Sequence, residues 1–498
     1  MNLPNLVARN ARKYPQQEAV ICQGRRVTYQ ALDELVNRLA NALLTRGVKQ
    51  QEKVLIFMPN TLEFVVSYFA IQRIGAIVVP VNAKFTAHEL QHVITDAEAS
   101  TLIVHEALWE QAKSCDCQRK IVTGPAQATA ESFETLLAEA STTAVVCTKD
   151  EEVLSTLLYT SGTTGKPKGV LFSARNILTV AYMMATEMSF KPESRVLLMM
   201  PLTHSAPLHL FLVTAVYVGA TCVLTPTFTP QLLLQTVESE KTTHFFGAPV
   251  AYLLAAQLPQ IATADLSSME WWVYGGAPVS KSQVVFIQQA FRTTRLTAVY
   301  GLTEAGPSGS LLFAEEHEDK AGSIGKRAPL NTELRIITNE GRDVAVGEVG
   351  EIILYGEGNM VGYYNNPEAT KAAMLDGWVR SGDLAMFDND GYIWIVDRKK
   401  DVIISGGVNI YPKEIEDCIT QFDNIIEVAV IGVPHPQWGE TVKAVFAAKE
   451  RIAVDELQAY LEQHLATYKV PKLYEQVEAL PRNASGKILK QTIKEVYQ

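Results

Sequence analysis

Residues 54–81, VLIFMPNTLEFVVSYFAIQRIGAIVVPV, read as strand, helix and strand in immediate succession. Val54 to Met58 is a short apolar run, Thr61 to Arg73 follows as a helix, and Ile77 to Val81 is a second β-branched run. Upstream, Leu32, Leu35, Val36, Leu39 and Leu43 recur at helical spacing, and Gly47 can end that helix. Helix then strand, repeated, predicts a parallel sheet covered by helices. The fold class expected is therefore α/β.

The chain has 498 residues, a soft prior of roughly three folding units of about 150 residues each. With 47% apolar, 20% charged and 8% aromatic residues it can build a large core, so dominant disorder is excluded. A net charge of −10 without a Lys/Arg run gives no electrostatic basis for a nucleic-acid partner, although it leaves a bound nucleotide open. The six cysteines show neither CxxC spacing nor a disulfide framework, and the amino terminus lacks the pattern of a secretory signal. A cytoplasmic protein is expected. From Val196 to Val237 no Asp, Glu, Lys or Arg occurs, yet the uninterrupted apolar part is shorter than the roughly 20 residues of a spanning helix. A buried helix and strand, with no integral membrane span, is the expectation.

After about Gly322 short alternating runs separated by Gly, Asn and Asp predict a β subdomain over 322–397. The polar run DRKKD at 397–401 separates the strand YIWIV from the strand VIIS and marks a boundary. Beyond it, Pro412 opens a helix, VAVIGV is a strand, and Asp455 can cap a helix with Leu457, Leu461, Leu465 and Tyr468 on one face. The predicted organisation is a large domain over 1–399, of helix-covered sheets plus the β subdomain, and a small α+β lid over 400–498.

The chemistry starts at Tyr159 to Val170, YTSGTTGKPKGV, between two apolar runs. Consecutive Ser, Gly and Thr let backbone N–H groups and hydroxyls converge on phosphate oxygens, and Lys166 and Lys168 add positive charge. The spacing is not that of a Walker A loop, since two residues separate the glycines and Pro167 follows Lys166. Further motifs follow in order: YGGAPVS from Tyr274, YGLTE from Tyr300, SGD from Ser381, DRKKDVIISGGVNIYPKEIE from Asp397 and PRNASGKILK from Pro481.

This set resembles the acyl-adenylate-forming superfamily over essentially the whole chain. The resemblance implies that ATP and Mg²⁺ activate a carboxylic acid as acyl-AMP with loss of pyrophosphate, and that coenzyme A then takes the acyl group as a thioester. Such a step is served by positioning and by cations placed where charge develops. By resemblance, Thr160, Ser161, Gly162, Thr163, Thr164, Gly165, Lys166 and Lys168 hold the β- and γ-phosphates, Thr303 contacts the α-phosphate and Glu304 is the metal ligand. Gly275, Gly276 and Ala277 would lie against adenine, Tyr300 would supply an aromatic face, and Asp383 with Arg398 would bind the ribose. Lys487 would bridge the attacking carboxylate and the α-phosphate, with Lys400 as the hinge of a mobile lid. In the thioester pose Gly406 and Gly407 would line the pantetheine passage, with Trp438, Lys84, Lys469 and Lys472 as CoA contacts. His204, in PLTHSAP, falls between acid pocket and adenylate, although the superfamily more often has an aromatic residue before it. Phe245, Phe246, Gly247, Ala248, Gly301 and Gly306 are candidates for the acid pocket.

Rival readings are weighed on the same residues. HELQH, His88 to His92, fits the HExxH zinc-peptidase pattern, with Glu110 as a distant carboxylate, but lacks any extension. An amino-acid adenylation domain would carry an aspartate near His204, and none occurs from Val196 to Val237. A catalytically silent acyl or nucleotide sensor is disfavoured by Glu304, Asp383, Arg398 and Lys487. The expected function is an AMP-forming acid–CoA ligase for a medium- or long-chain fatty acid, with an aryl acid of the benzoate or 4-coumarate type as the alternative. A homo-oligomer is left open.

Overall fold

The computed structural model describes residues 2–146, 150–160, 167–277, 279–482 and 488–497. It divides into two compact units, one of 1–160, 167–334 and 354–379, the other gathering 335–353 and 380–498. The division passes through the β subdomain expected at 322–397.

The first unit holds two eight-stranded sheets. In one, Glu18–Cys22, Thr221–Leu224, Arg195–Leu198, His244–Gly247, Trp271–Gly275 and Leu296–Tyr300 run parallel, and Arg25–Thr28 and Ser310–Leu312 close its edges antiparallel. In the other, Lys53–Phe57 lies between Ile77–Val81 and Thr101–Val104, all parallel, while Leu154–Thr160 and Lys168–Ser173 form an antiparallel hairpin. The strand, helix, strand reading of 54–81 is borne out. Thr61 caps the helix Leu62–Arg73 by accepting the Phe64 N–H at 3.3 Å. That helix is buried all round because it is packed into the core, and even Arg73 is only 2% exposed. Its guanidinium is tolerated there because Asp33 at 2.7 Å and the Asn37 amide oxygen at 2.8 Å pair with it.

The charge-free stretch 196–237 resolves into strand, helix and strand, followed by most of the helix Pro230–Glu240. Ala206–Val213 is a π-helix, Thr214–Val218 continues it as α-helix, and Gly219 at φ +91° ends it before the strand Thr221–Leu224. No helix among the described residues is long and apolar enough to cross a membrane.

In the second unit, Ile425–His435 and Gly439–Ala448 form a long antiparallel hairpin, and Leu473–Val477 adds a parallel strand. Both faces of the hairpin are covered. Val428 and Val430 pack with Ile415, Ile419, Leu457 and Leu461, and Ala429 and Ile431 pack with Leu480 and Ile493. Two local expectations need correction. Asp455 is exposed inside the first turn of Val454–His464, whose N-cap is Ala453, so Asp455 serves the helix dipole and not a cap. Tyr468 lies past the helix end and is exposed, so the buried stripe is Leu457 and Leu461 with Leu465 partly covered.

Two buried histidines couple this core to pH. His209, in the π-helix, has no hydrogen-bond partner for either ring nitrogen among the described residues, and burial pushes it down to about 3. His244 is pushed down to about 4, by burial first, against the hydrogen bond to the Met188 carbonyl. Both are neutral in the fold, while the unfolded chain binds a proton below about pH 6.5. Unfolding free energy should therefore fall as pH drops from about 6.5 toward 5, by up to about 1.4 kcal/mol per pH unit for each histidine. Urea titrations of wild type and His209→Met check this: the variant should lose one proton's worth of slope, and an unchanged slope would refute it.

Candidate functional site

In the first unit the site is built where parallel strands end. Gly247, Gly275 and Tyr300 terminate adjacent strands whose register pairs Gly247 with Tyr274 and Gly275 with Val299. Ligands of open α/β sheets bind at such carboxyl ends. This brings Phe246, Gly247 and Ala248, then Gly275, Gly276 and Ala277, then Tyr300 and Gly301 side by side. Phe245, by contrast, is fully buried and packs on Tyr252 and Trp272, so it belongs to the core beneath the strand ends. Gly275 has no room for a side chain, because a Cβ would come within 2.6 Å of the Val299 carbonyl.

After Tyr300 the chain makes the short turn Thr303–Ala305 and leaves it through Gly306 at φ +67°. A Cβ on Gly306 would collide with the Gly358 carbonyl. The Thr303 hydroxyl lies 3.0 Å from that of Ser205, which is buried at the start of the π-helix. The Glu304 carboxylate accepts the Tyr363 hydroxyl proton at 2.8 Å, and the Glu304 carbonyl accepts the Met360 N–H at 2.8 Å. Lys168 places its ammonium 5.1 Å from the centre of the Tyr363 ring. Thr160 faces Lys168 across the hairpin that carries the glycine-rich loop. Ser161, Gly162, Thr163, Thr164, Gly165 and Lys166 lie outside the described residues.

His204 is presented by a segment that Asn60 clamps. The Asn60 amide donates to the Leu198 and Met200 carbonyls at 3.1 and 2.9 Å and accepts the Leu202 N–H at 2.9 Å. Desolvation by its neighbours, then the positive charge of Lys84, hold the His204 imidazole below its ordinary value. Lys84 thus stands within electrostatic reach of His204 in the same unit. Behind Tyr300, Met184, Leu210, Val299, Pro307 and Leu311 border a narrow apolar gap.

The second unit holds the other set. Asp383 and Arg398 are register partners on the antiparallel strands Trp378–Phe387 and Ile393–Arg398, with Nε 3.1 Å from Oδ1. Next to them, burial opposes ionisation of Glu351, but hydrogen bonds from Arg380 and Lys399 outweigh it and hold the carboxyl below the usual range. Lys400 lies in the turn closed by the Asp401 N–H on the Arg398 carbonyl. Gly406 at φ +58° and Gly407 at φ +82° form the turn between Ile403–Ser405 and Val408–Ile410. A Cβ on Gly406 would come within 2.7 Å of the Trp438 ring, which is more than half exposed, and the Gly406 N–H donates to the Trp438 carbonyl at 2.8 Å. Lys469 is engaged with Glu414 at 2.6 Å, while Lys472 is exposed. Lys487 lies outside the described residues.

Sequence reading missed Tyr363, Ser205 and Asn60. Each meets its partner only through the tertiary fold, and although Ser205 lies in PLTHSAP and Asn60 in the stretch 54–81, neither was given a role there. The HELQH stretch forms a helix, but Glu89 accepts the Thr86 N–H and hydroxyl at 2.8 and 2.9 Å as a capping box. No group of three or more His, Cys, Asp or Glu suited to a metal occurs among the described residues.

Together these features define an α/β protein with glycine-rich connections and a few held polar and charged side chains at its strand ends. The chain belongs to the AMP-binding enzyme family: residues 7–364 match the AMP-binding enzyme and residues 414–487 its C-terminal domain. It is 37% identical over 484 residues to a feruloyl-CoA synthase of an Amycolatopsis species, covering 97% of this chain and 96% of that protein. It is 33% identical to a long-chain-fatty-acid–CoA ligase of Mycobacterium tuberculosis, covering 95% and 93% of the two chains. Among solved structures it is similar to the anthranilate CoA ligase AuaEII in complex with anthranoyl-AMP, with TM-score 0.90, 26% identity, and 100% and 97% of the two chains covered. The α/β class expected from sequence is borne out.

The His204 environment is directly testable. Removing the Lys84 charge in Lys84→Met should move the His204 titration midpoint upward, toward the ordinary histidine value. Histidine-selective NMR across pH 4–8 reads it, and an unchanged midpoint would show that the lysine charge does not reach the ring.

Proposed function

We propose that this chain is an AMP-forming acid–CoA ligase whose acid has an uncharged, apolar body. The observation that carries the reading is the corner at the strand ends, where Thr303, a held Glu304 carboxylate and Lys168 converge beside an apolar gap. Glu304 suits Mg²⁺, which is ordinarily bound by one or two carboxylates together with substrate phosphates and water. Mg²⁺ would neutralise charge on the phosphate oxygens while the acid attacks. Lys168 and the loop Thr160 to Lys166 would orient the β- and γ-phosphates, and Thr303 the α-phosphate. Gly275 to Ala277 would give adenine close approach to main chain, with Tyr300 on its face. Asp383 accepts, and Arg398 donates, hydrogen bonds at the ribose. Lys487 would stabilise the transition state of adenylation, and a hinge at Lys400 would exchange that step for thioester formation along Gly406, Gly407 and Trp438 with CoA. His204, whose protonation the surrounding protein and Lys84 disfavour, would abut the acid carboxylate.

For the acid, a medium- or long-chain fatty acid is the first reading, supported by kinship with a fatty-acid ligase. A compact aryl acid is the second, favoured by main chain that walls the gap. Gly301 packs on the Pro307 carbonyl, and a Cβ on Gly309 would come within 2.8 Å of the Tyr300 carbonyl.

ATP–pyrophosphate exchange across fatty acids of rising length and benzoate and cinnamate types, with and without CoA, tests both. Exchange with one class followed by CoA-dependent AMP release is expected, and no exchange with any acid by folded protein would overturn the ligase reading. Lys487→Ala should abolish adenylate formation while largely sparing thioester formation from supplied acyl-adenylate. Equal loss of both half-reactions would remove that role.

A further inference from the structure

The segment Glu357 to Tyr364 is tied down at nearly every residue. Gly358 has no room for a Cβ, which would come within 2.9 Å of Val180. Val361 and Tyr364 donate backbone N–H groups to the Leu171 and Gly169 carbonyls, each at 2.8 Å, and Gly362–Tyr363 pairs antiparallel with Lys168–Ser173. The Tyr363 N–H is satisfied by Thr370 Oγ1 at 2.9 Å. Main chain thus fixes where the phenol emerges, and the same segment grips the Glu304 turn through the Met360 N–H.

We propose that Tyr363 is the positioning residue for Glu304, holding one carboxylate oxygen through its hydroxyl so that the carboxylate is presented to Mg²⁺ while its ring seats the Lys168 ammonium. The proposal rests on the reading of Glu304 as the metal ligand. The 2.8 Å contact makes the phenol hydroxyl the donor and one Glu304 carboxylate oxygen the acceptor. A hydrogen bond from a neutral donor to an ionised acceptor is among the stronger kinds, and it removes the rotation that would let the carboxylate turn away. One phenol therefore links the two charges of opposite sign in this corner, which otherwise come from chain segments far apart.

Partners that orient metal ligands are typically worth about 10- to 100-fold in metal affinity. The experiment titrates Mg²⁺ into full-length protein with α,β-methylene-ATP and no acid, reading nucleotide binding by calorimetry. Wild type, Tyr363→Phe, Glu304→Gln and the double variant are compared. Tyr363→Phe should raise the Mg²⁺ midpoint about tenfold, and the double variant should be no worse than Glu304→Gln alone. If Glu304→Gln shifts the midpoint and Tyr363→Phe does not, the positioning role is overturned and the metal-ligand reading stands. If Glu304→Gln leaves the midpoint unmoved, the metal-ligand reading fails and this proposal with it. Additive effects in the double variant would also overturn it. Should Tyr363→Phe lack the wild-type circular dichroism, Tyr363→Met, whose thioether cannot donate, replaces it. There a raised midpoint supports the role and an unchanged one overturns it.

Discussion

The hydrogen-bonded register of three neighbouring parallel strands governs what lies above them. Because Gly247 is level with Tyr274, and Gly275 with Val299, the three connections that follow leave the sheet at nearly one height. Peptide hydrogen bonds set that height to within a residue, and a slip by one would turn every side chain to the opposite face. The glycines follow from the same constraint. Gly275 meets the Val299 carbonyl of the neighbouring strand, so this strand end approaches its neighbour as bare main chain.

On this platform the polar and charged groups are each held by a neutral one. Thr303 shares a hydrogen bond with Ser205, Glu304 accepts from Tyr363, and Lys168 rests over the Tyr363 ring. Neutral partners fix position without cancelling charge. A salt bridge at Glu304 would hold it equally well but would spend the negative charge that a divalent cation needs. Asp383, in the second unit, is different. It is paired directly with Arg398, which offsets its charge, and this would suit the ribose-binding role proposed for it.

Much of the fold was legible in the sequence because its period was. The alternation across 54–81 and the charge-free stretch 196–237 report burial, and burial follows from layers. Asp455 and Tyr468 misled because a capping residue and a residue just past a helix end differ from helical positions by one hydrogen bond, which composition does not record. The HELQH pattern matched three positions, but Glu89 was already committed to the Thr86 cap. Lying within a quoted stretch, as Ser205 does in PLTHSAP, was not enough, and site residues were legible where they match a motif position of known chemistry. Tyr363, Ser205 and Asn60 were not, because they reach Glu304, Thr303 and Leu202 across 59, 98 and 142 residues of chain. A tyrosine behind a glycine or a serine behind a histidine carries no local sign of a partner so far away.

The same reasoning separates what a motif can encode from what it cannot. Phosphate and ribose are constant, so the groups that meet them can be written as fixed residue types at fixed spacing, many of them main chain. The acid varies. On the reading proposed above, its surroundings would be assembled from separate elements, among them the helix bearing Met184, the π-helix bearing Leu210, the strand end at Val299 and the return through Pro307 and Leu311, four stretches with no shared spacing. Shape in such a gap is set by how glycines let main chain close on main chain, as at Gly301 and Gly309. Selectivity for the acid is therefore a property of packing between elements, and chemistry at the phosphates is a property of the elements' ends. A chain of this architecture can change its acid by altering the first while leaving the second intact.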